Sequence, residues 1–109
     1  MIKIENRLGE KLENIVIIAK VKIKEEFINE VVEELVELHK QTHKNDKGCL
    51  QYDMHKDYES NNSYVFVETW ESQKLLDDHM KKEHFLSFIK STENKIENLE
   101  INKLEKLHI

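Results

Sequence analysis

Proline is absent from this sequence, glycine occurs twice and cysteine once. With no segment rich in Ser, Pro or Gly there is no linker to divide the chain, and 109 residues suit one domain. A single cysteine forms no internal disulfide, which points to a reducing cytoplasm. Blocks of like charge are also missing. Acids and lysines are interspersed at a net charge of −5, so nucleic acid and an anionic membrane surface are poor partners. The longest apolar run, Ile15 to Ala19, is too short to insert in a membrane, and no charged-then-apolar leader pattern opens the chain. A soluble cytoplasmic protein is expected.

Apolar residues make up 39% of the chain and charged residues 36%, so the core is thin. A domain this size buries roughly 60–70% of its unfolded surface. A second copy covering part of the surface would supplement that core.

Asn14 to Ile23 is a β-branched run in which Ile17, Ala19, Val21 and Ile23 share one face and Lys20 and Lys22 the other. From Glu25 the period becomes helical through Ile28, Val31, Val32, Leu35, Leu38 and Thr42. Glu25 and Glu26 sit at the positive end, His43 and Lys44 near the negative end, and Asn45 to Gly48 stop the helix. Cys49 to His55 and Tyr64 to Trp70 read as two strands of a hairpin. Ser72 suits the N-cap of a second helical stretch through Met80, with a break near Lys82 before Phe85, Phe88 and Ile89. Leu99 to Leu107 is ambiguous by pattern. A strand there completes β-α-β-β-α-β, an α+β, ferredoxin-like order with an antiparallel sheet. Residues 1–13 form an extension ahead of a domain spanning 14–109. The strands carry apolar side chains on both faces, yet the helices can cover only one, which predicts a homodimer packed sheet to sheet.

Several residues could carry chemistry. His79 can take a proton near neutral pH; the commoner reading is a helix histidine bonded to a backbone carbonyl. His84 lies about 140° around a regular helix from His79, so the two converge only if the helix breaks between them. His39 and His43 have the i, i+4 spacing of metal ligands, but two histidines fall short of a full set and no H-E-x-x-H is present. Favourable charge at a helix end is the expectation there, with no metal. Trp70 and Tyr52 could wall and anchor an aromatic substrate, or simply pack. Glu68 shares by alternation the face of Trp70 and Phe66 and is either paired across a dimer interface or shifted upward in pKa, pairing being preferred. His55 ends its strand beside a polar loop, near a pocket mouth or in solvent. Cys49 has no evident base and reads as a small apolar residue.

Three motifs, GCLQY (Gly48 to Tyr52), ETWES (Glu68 to Ser72) and LLDDHMKKEHFLSF (Leu75 to Phe88), together resemble the antibiotic-biosynthesis-monooxygenase family. Each is short, but their order and spacing are fairly specific, and the order of elements extends the match to about 14–107. The resemblance implies a dimeric α+β barrel and, for members similar to this chain, a quinol monooxygenase needing no metal, flavin or haem, with molecular oxygen as co-substrate. It raises the weight of a catalytic role for His79; Tyr52, Trp70, Glu68, His84 and His55 are the candidate substrate contacts. A haem-degrading branch uses Asn, Trp and His where this chain has Ile18, His79 and Ile89, so that activity is not expected. An isomerase branch acting on a phosphorylated metabolite stays open, although no basic anchor is evident on the expected pocket elements. A non-catalytic small-molecule-binding module is the third alternative.

Overall fold

The computed structural model describes residues 14–107 and 109; the expected N-terminal extension lies outside the described residues. Strand β1 (Ile15–Ile23) leads through a 3₁₀ turn (Glu25–Phe27) into helix α1 (Ile28–Asn45). The hairpin strands β2 (Cys49–Lys56) and β3 (Ser63–Trp70) follow. Then come α2 (Gln73–Met80), α3 (Glu83–Ser91) and β4 (Ile96–Glu105). The four strands form one antiparallel sheet in the order β2-β3-β1-β4, the ferredoxin-like arrangement. Among the described residues no helix is long and apolar enough to cross a membrane.

Alternation decides which side chains meet the helices. Ile17, Ala19, Val21 and Ile23 of β1 are buried, as are Phe66 and Trp70 of β3 and Tyr52 of β2. Val31, Leu35 and Leu38 close over them from α1, one helical turn apart. The opposite sheet face carries Val16, Ile18, Val65 and Val67, all half-buried, with Leu104 half exposed. Leu50 is the extra residue of a bulge between Cys49 and Gln51, and it is turned outward.

Two local features set the geometry of the site. Gly48, at φ +82°, turns the chain from α1 into β2, and a Cβ there would stand 2.3 Å from the Leu75 side chain of α2. Its carbonyl accepts from the Glu71 N–H at 2.8 Å, tying the α1–β2 turn to the end of β3. The second feature is the break at Lys81–Lys82 between α2 and α3. The Ser72 hydroxyl caps α2, accepting from the Leu75 N–H at 3.3 Å.

Candidate active site

A cavity of about 290 Å³ opens between the helices and the sheet. Its walls are mostly aliphatic and aromatic, from Ile17 and Ala19 on β1 to Phe85 and Phe88 on α3; Leu99 and Ile101 line it from β4. Tyr52, Glu68 and His79 supply most of its polar groups, and among the described residues Lys103 is the lysine that lines it. A few polar groups converging on an apolar hollow is the usual form of a small-molecule site.

His79, 2% exposed, stands at the end of α2 with its ring 4.6 Å from that of Trp70, 5.0 Å from Phe85 and 5.6 Å from Tyr52. Its Nδ1 is bonded to the Asp46 carboxylate, which leaves Nε2 as the free ring nitrogen. Burial lowers the pKa of His79; the Asp46 bond opposes that shift and His84 adds to it. The imidazole is therefore neutral near pH 7 and able to accept a proton.

Asp46 is the functional residue that sequence reasoning missed. It caps α1, with its N–H on the Thr42 carbonyl, and its side chain is 1% exposed between two histidines. Its Oδ1 lies 2.9 Å from His84 Nε2, within ion-pair distance but out of line for a hydrogen bond. The helix break does bring His79 and His84 together, by way of this carboxylate. His84 itself lines a separate polar groove between α1 and α3 and does not line the cavity.

Glu68 is buried and its Oε1 accepts from the Trp70 indole N–H at 2.9 Å. Desolvation pushes its carboxyl up to about 7, against the lowering effect of that bond. Tyr52 is held well above the usual phenol range, by burial first and by Glu68 second, so it stays a neutral hydroxyl able to donate. Burial likewise raises the Cys49 thiol to about 11, with Glu68 and Asp46 adding to the shift. Such a thiol is no nucleophile near neutral pH. His55 is exposed on the outer sheet face, its Nδ1 3.1 Å from the Val65 carbonyl; alternation from Tyr52 turns it away from the cavity.

Among the described residues two trios have metal-ligating atoms within 4.8 Å of one another: Asp46, His79 and His84 inside, and His39, His43 and Asp53 outside.

The sheet order and the cavity beneath the helices define a ferredoxin-like α+β domain with a largely apolar cavity. The model of the antibiotic biosynthesis monooxygenase family matches residues 14–91, and the chain belongs to that family. Protein PA3566 of Pseudomonas aeruginosa is 28% identical, covering 87% of this chain and 95% of its own, with a TM-score of 0.80. A conserved protein of Methanosarcina mazei Go1 is 25% identical over 88% of this chain and 95% of its own, with a TM-score of 0.80. A candidate antibiotic biosynthesis monooxygenase of Caulobacter crescentus CB15 superimposes at a TM-score of 0.84, over 89% of this chain and 92% of its own. At 18% identity it speaks for the fold alone. The uncharacterized Synechocystis protein sll1783 (strain PCC 6803) is 29% identical over 49 residues, 45% of this chain; the match spans a third (33%) of that relative's length.

Proposed function

We propose that the chain is a cofactor-independent monooxygenase of a quinol or polycyclic phenol, acting in the cytoplasm as a homodimer. The observation that carries this reading is His79. A neutral imidazole, pinned through Nδ1 by a buried carboxylate, stands at the wall of an apolar cavity with Nε2 unspent. A phenol must ionise before it readily gives an electron to dioxygen, and Nε2 is the group to take that proton. Asp46 then stabilises the imidazolium, and the apolar walls strengthen every contact to the phenolate. The substrate supplies all four electrons. A naphthol becomes a naphthoquinone with one oxygen atom, and the other leaves as water. The Tyr52 hydroxyl, where it meets a substrate oxygen, donates to it, whereas Trp70 is fully buried against the His79 ring and does not line the cavity.

The dimer reading rests on the outer sheet face. Val16, Ile18, Val65, Val67 and Leu104 form an apolar surface that no helix among the described residues covers. Lys103 supports a second reading, an isomerase of a phosphorylated metabolite, because it puts at the cavity the basic anchor which such a substrate needs.

The test is oxygen uptake by the purified protein over a panel of hydroquinones and naphthols, with autoxidation subtracted. Enzyme-dependent uptake, lost in His79→Ala, is expected. No uptake above background across the panel overturns the oxygenase reading, and turnover that persists without oxygen moves the assignment to the isomerase.

A further inference from the structure

The outer trio has no part in the oxygenase reading. His39 and His43 stand one turn apart on α1 with ring centroids 4.5 Å apart, and Asp53 comes from β2. Among the described residues β2 is an edge strand, with no neighbouring strand to bond its outer carbonyls. One of them, that of Tyr52, lies 2.8 Å from His43 Nε2. A carbonyl can only accept, so Nε2 carries the proton and Nδ1 keeps the lone pair. Metal-ligating histidines are typically oriented in this way, by a carbonyl on the second ring nitrogen.

We propose that His39, His43 and Asp53 form a divalent metal site of the zinc type at the free edge of the sheet. A ring nitrogen of each histidine and a carboxylate oxygen of Asp53 already lie within 4.8 Å of one another. Closing onto an ion, with bonds of about 2.0–2.2 Å, takes only side-chain adjustment at these positions. Two imidazoles and a carboxylate are a suitable donor set for zinc, with water completing the tetrahedron from the solvent side.

The buried trio is the rival. There, however, the Asp46 oxygens already face the two imidazoles directly, and Trp70, Tyr52 and Phe85 pack around His79. An ion would have to part those groups, and the second nitrogen of His79 would face an apolar cavity with no carbonyl to orient it.

Zinc titration calorimetry on the full chain tests the site, with cobalt(II) absorption reporting the ligand set. One zinc per chain is expected. His39→Ala, His43→Ala and Asp53→Asn should each weaken binding by more than the roughly 10–100-fold that loss of an outer hydrogen-bond partner costs. Circular dichroism confirms that each variant is folded. Absence of one-to-one binding overturns the proposal, as does binding that survives all three substitutions. Binding lost in Asp46→Asn but kept in His39→Ala puts the ion in the buried trio instead. None of these outcomes depends on whether the protein consumes oxygen.

Discussion

The same set of side chains, two histidines and one aspartate, occurs in two clusters near Tyr52, and burial gives them different chemistry. Around Asp46 the carboxylate is sealed from water. It can satisfy itself only on the imidazoles beside it, and the result is a fixed, proton-accepting ring at a cavity. Around Asp53 the carboxylate is exposed and takes a bond from Gln51 Nε2 at 2.9 Å, and water can reach every donor. Coulomb interactions and hydrogen bonds strengthen as water is excluded. The inner trio is therefore a rigid part of the core, whereas the outer trio adds little to stability and is free to recruit a ligand.

The largest expected effect follows from that contrast. Asp46→Ala should cost about 3 kcal/mol, since it removes a charge-assisted bond and leaves buried ring nitrogens without a partner. Asp53→Ala should stay within about 0.5 kcal/mol, as surface changes usually do. Urea unfolding of both variants measures the difference, and equal losses would break the comparison.

Next in size is the pH response of the buried site. The folded pKa of Glu68, about 7, is raised above its unfolded value, so the folded state binds the proton more tightly than the unfolded one. Its stabilisation is complete below the unfolded pKa and is lost as pH rises through about 7. The shift is worth about 3 kcal/mol at most. Glu68→Gln keeps an acceptor for the Trp70 indole and should flatten this alkaline loss, visible in unfolding midpoints at about pH 5 and pH 8. His79 acts in the opposite sense. Its folded pKa is lowered, so its contribution is present above the unfolded value and is lost as pH falls through the folded one.

Gly48→Ala should cost about 2 kcal/mol, because the added Cβ meets Leu75 and the backbone sits at φ +82°. That turn delivers Asp46, so oxygen uptake should fall with stability while zinc binding at the outer trio persists. Loss of both would mean that the two sites are not independent.

Much of the fold was legible from periodicity. The alternation of Ile17 to Ile23, the helical spacing from Ile28 to Thr42 and the Ser72 cap all appear where the pattern put them. The tail needed topology to decide it, and β4 begins at Ile96, earlier than the alternation of Leu99 and Ile101 suggested. The cavity wall was partly legible, since Tyr52, Glu68 and His79 share the inner side of their elements, but Trp70, on the same side, is fully buried and does not line it. Asp46 was hidden because Asn45 to Gly48 reads simply as a helix stop. A signal was present: an acid at the negative end of a helix is placed against the dipole and needs another reason to be there. Asp53 gave no such signal, because only the free edge of β2 brings it near α1. His55 and His84 stand off the cavity for reasons that a linear pattern shows poorly, strand alternation in one case and a helix break in the other.

The smallest effect separates the two outer histidines. His43 is tied to the Tyr52 carbonyl, so His43→Ala should cost about 0.5–1 kcal/mol through that bond. His39 makes edge contacts with the His43 and Tyr52 rings, and its replacement should cost less. Zinc binding, by contrast, needs both rings and should fall alike in the two variants. Stability that discriminates between the histidines while zinc affinity does not is the pattern of a site whose ligands serve the ion more than the fold. The converse pattern would return His39 and His43 to ordinary helix-end charges.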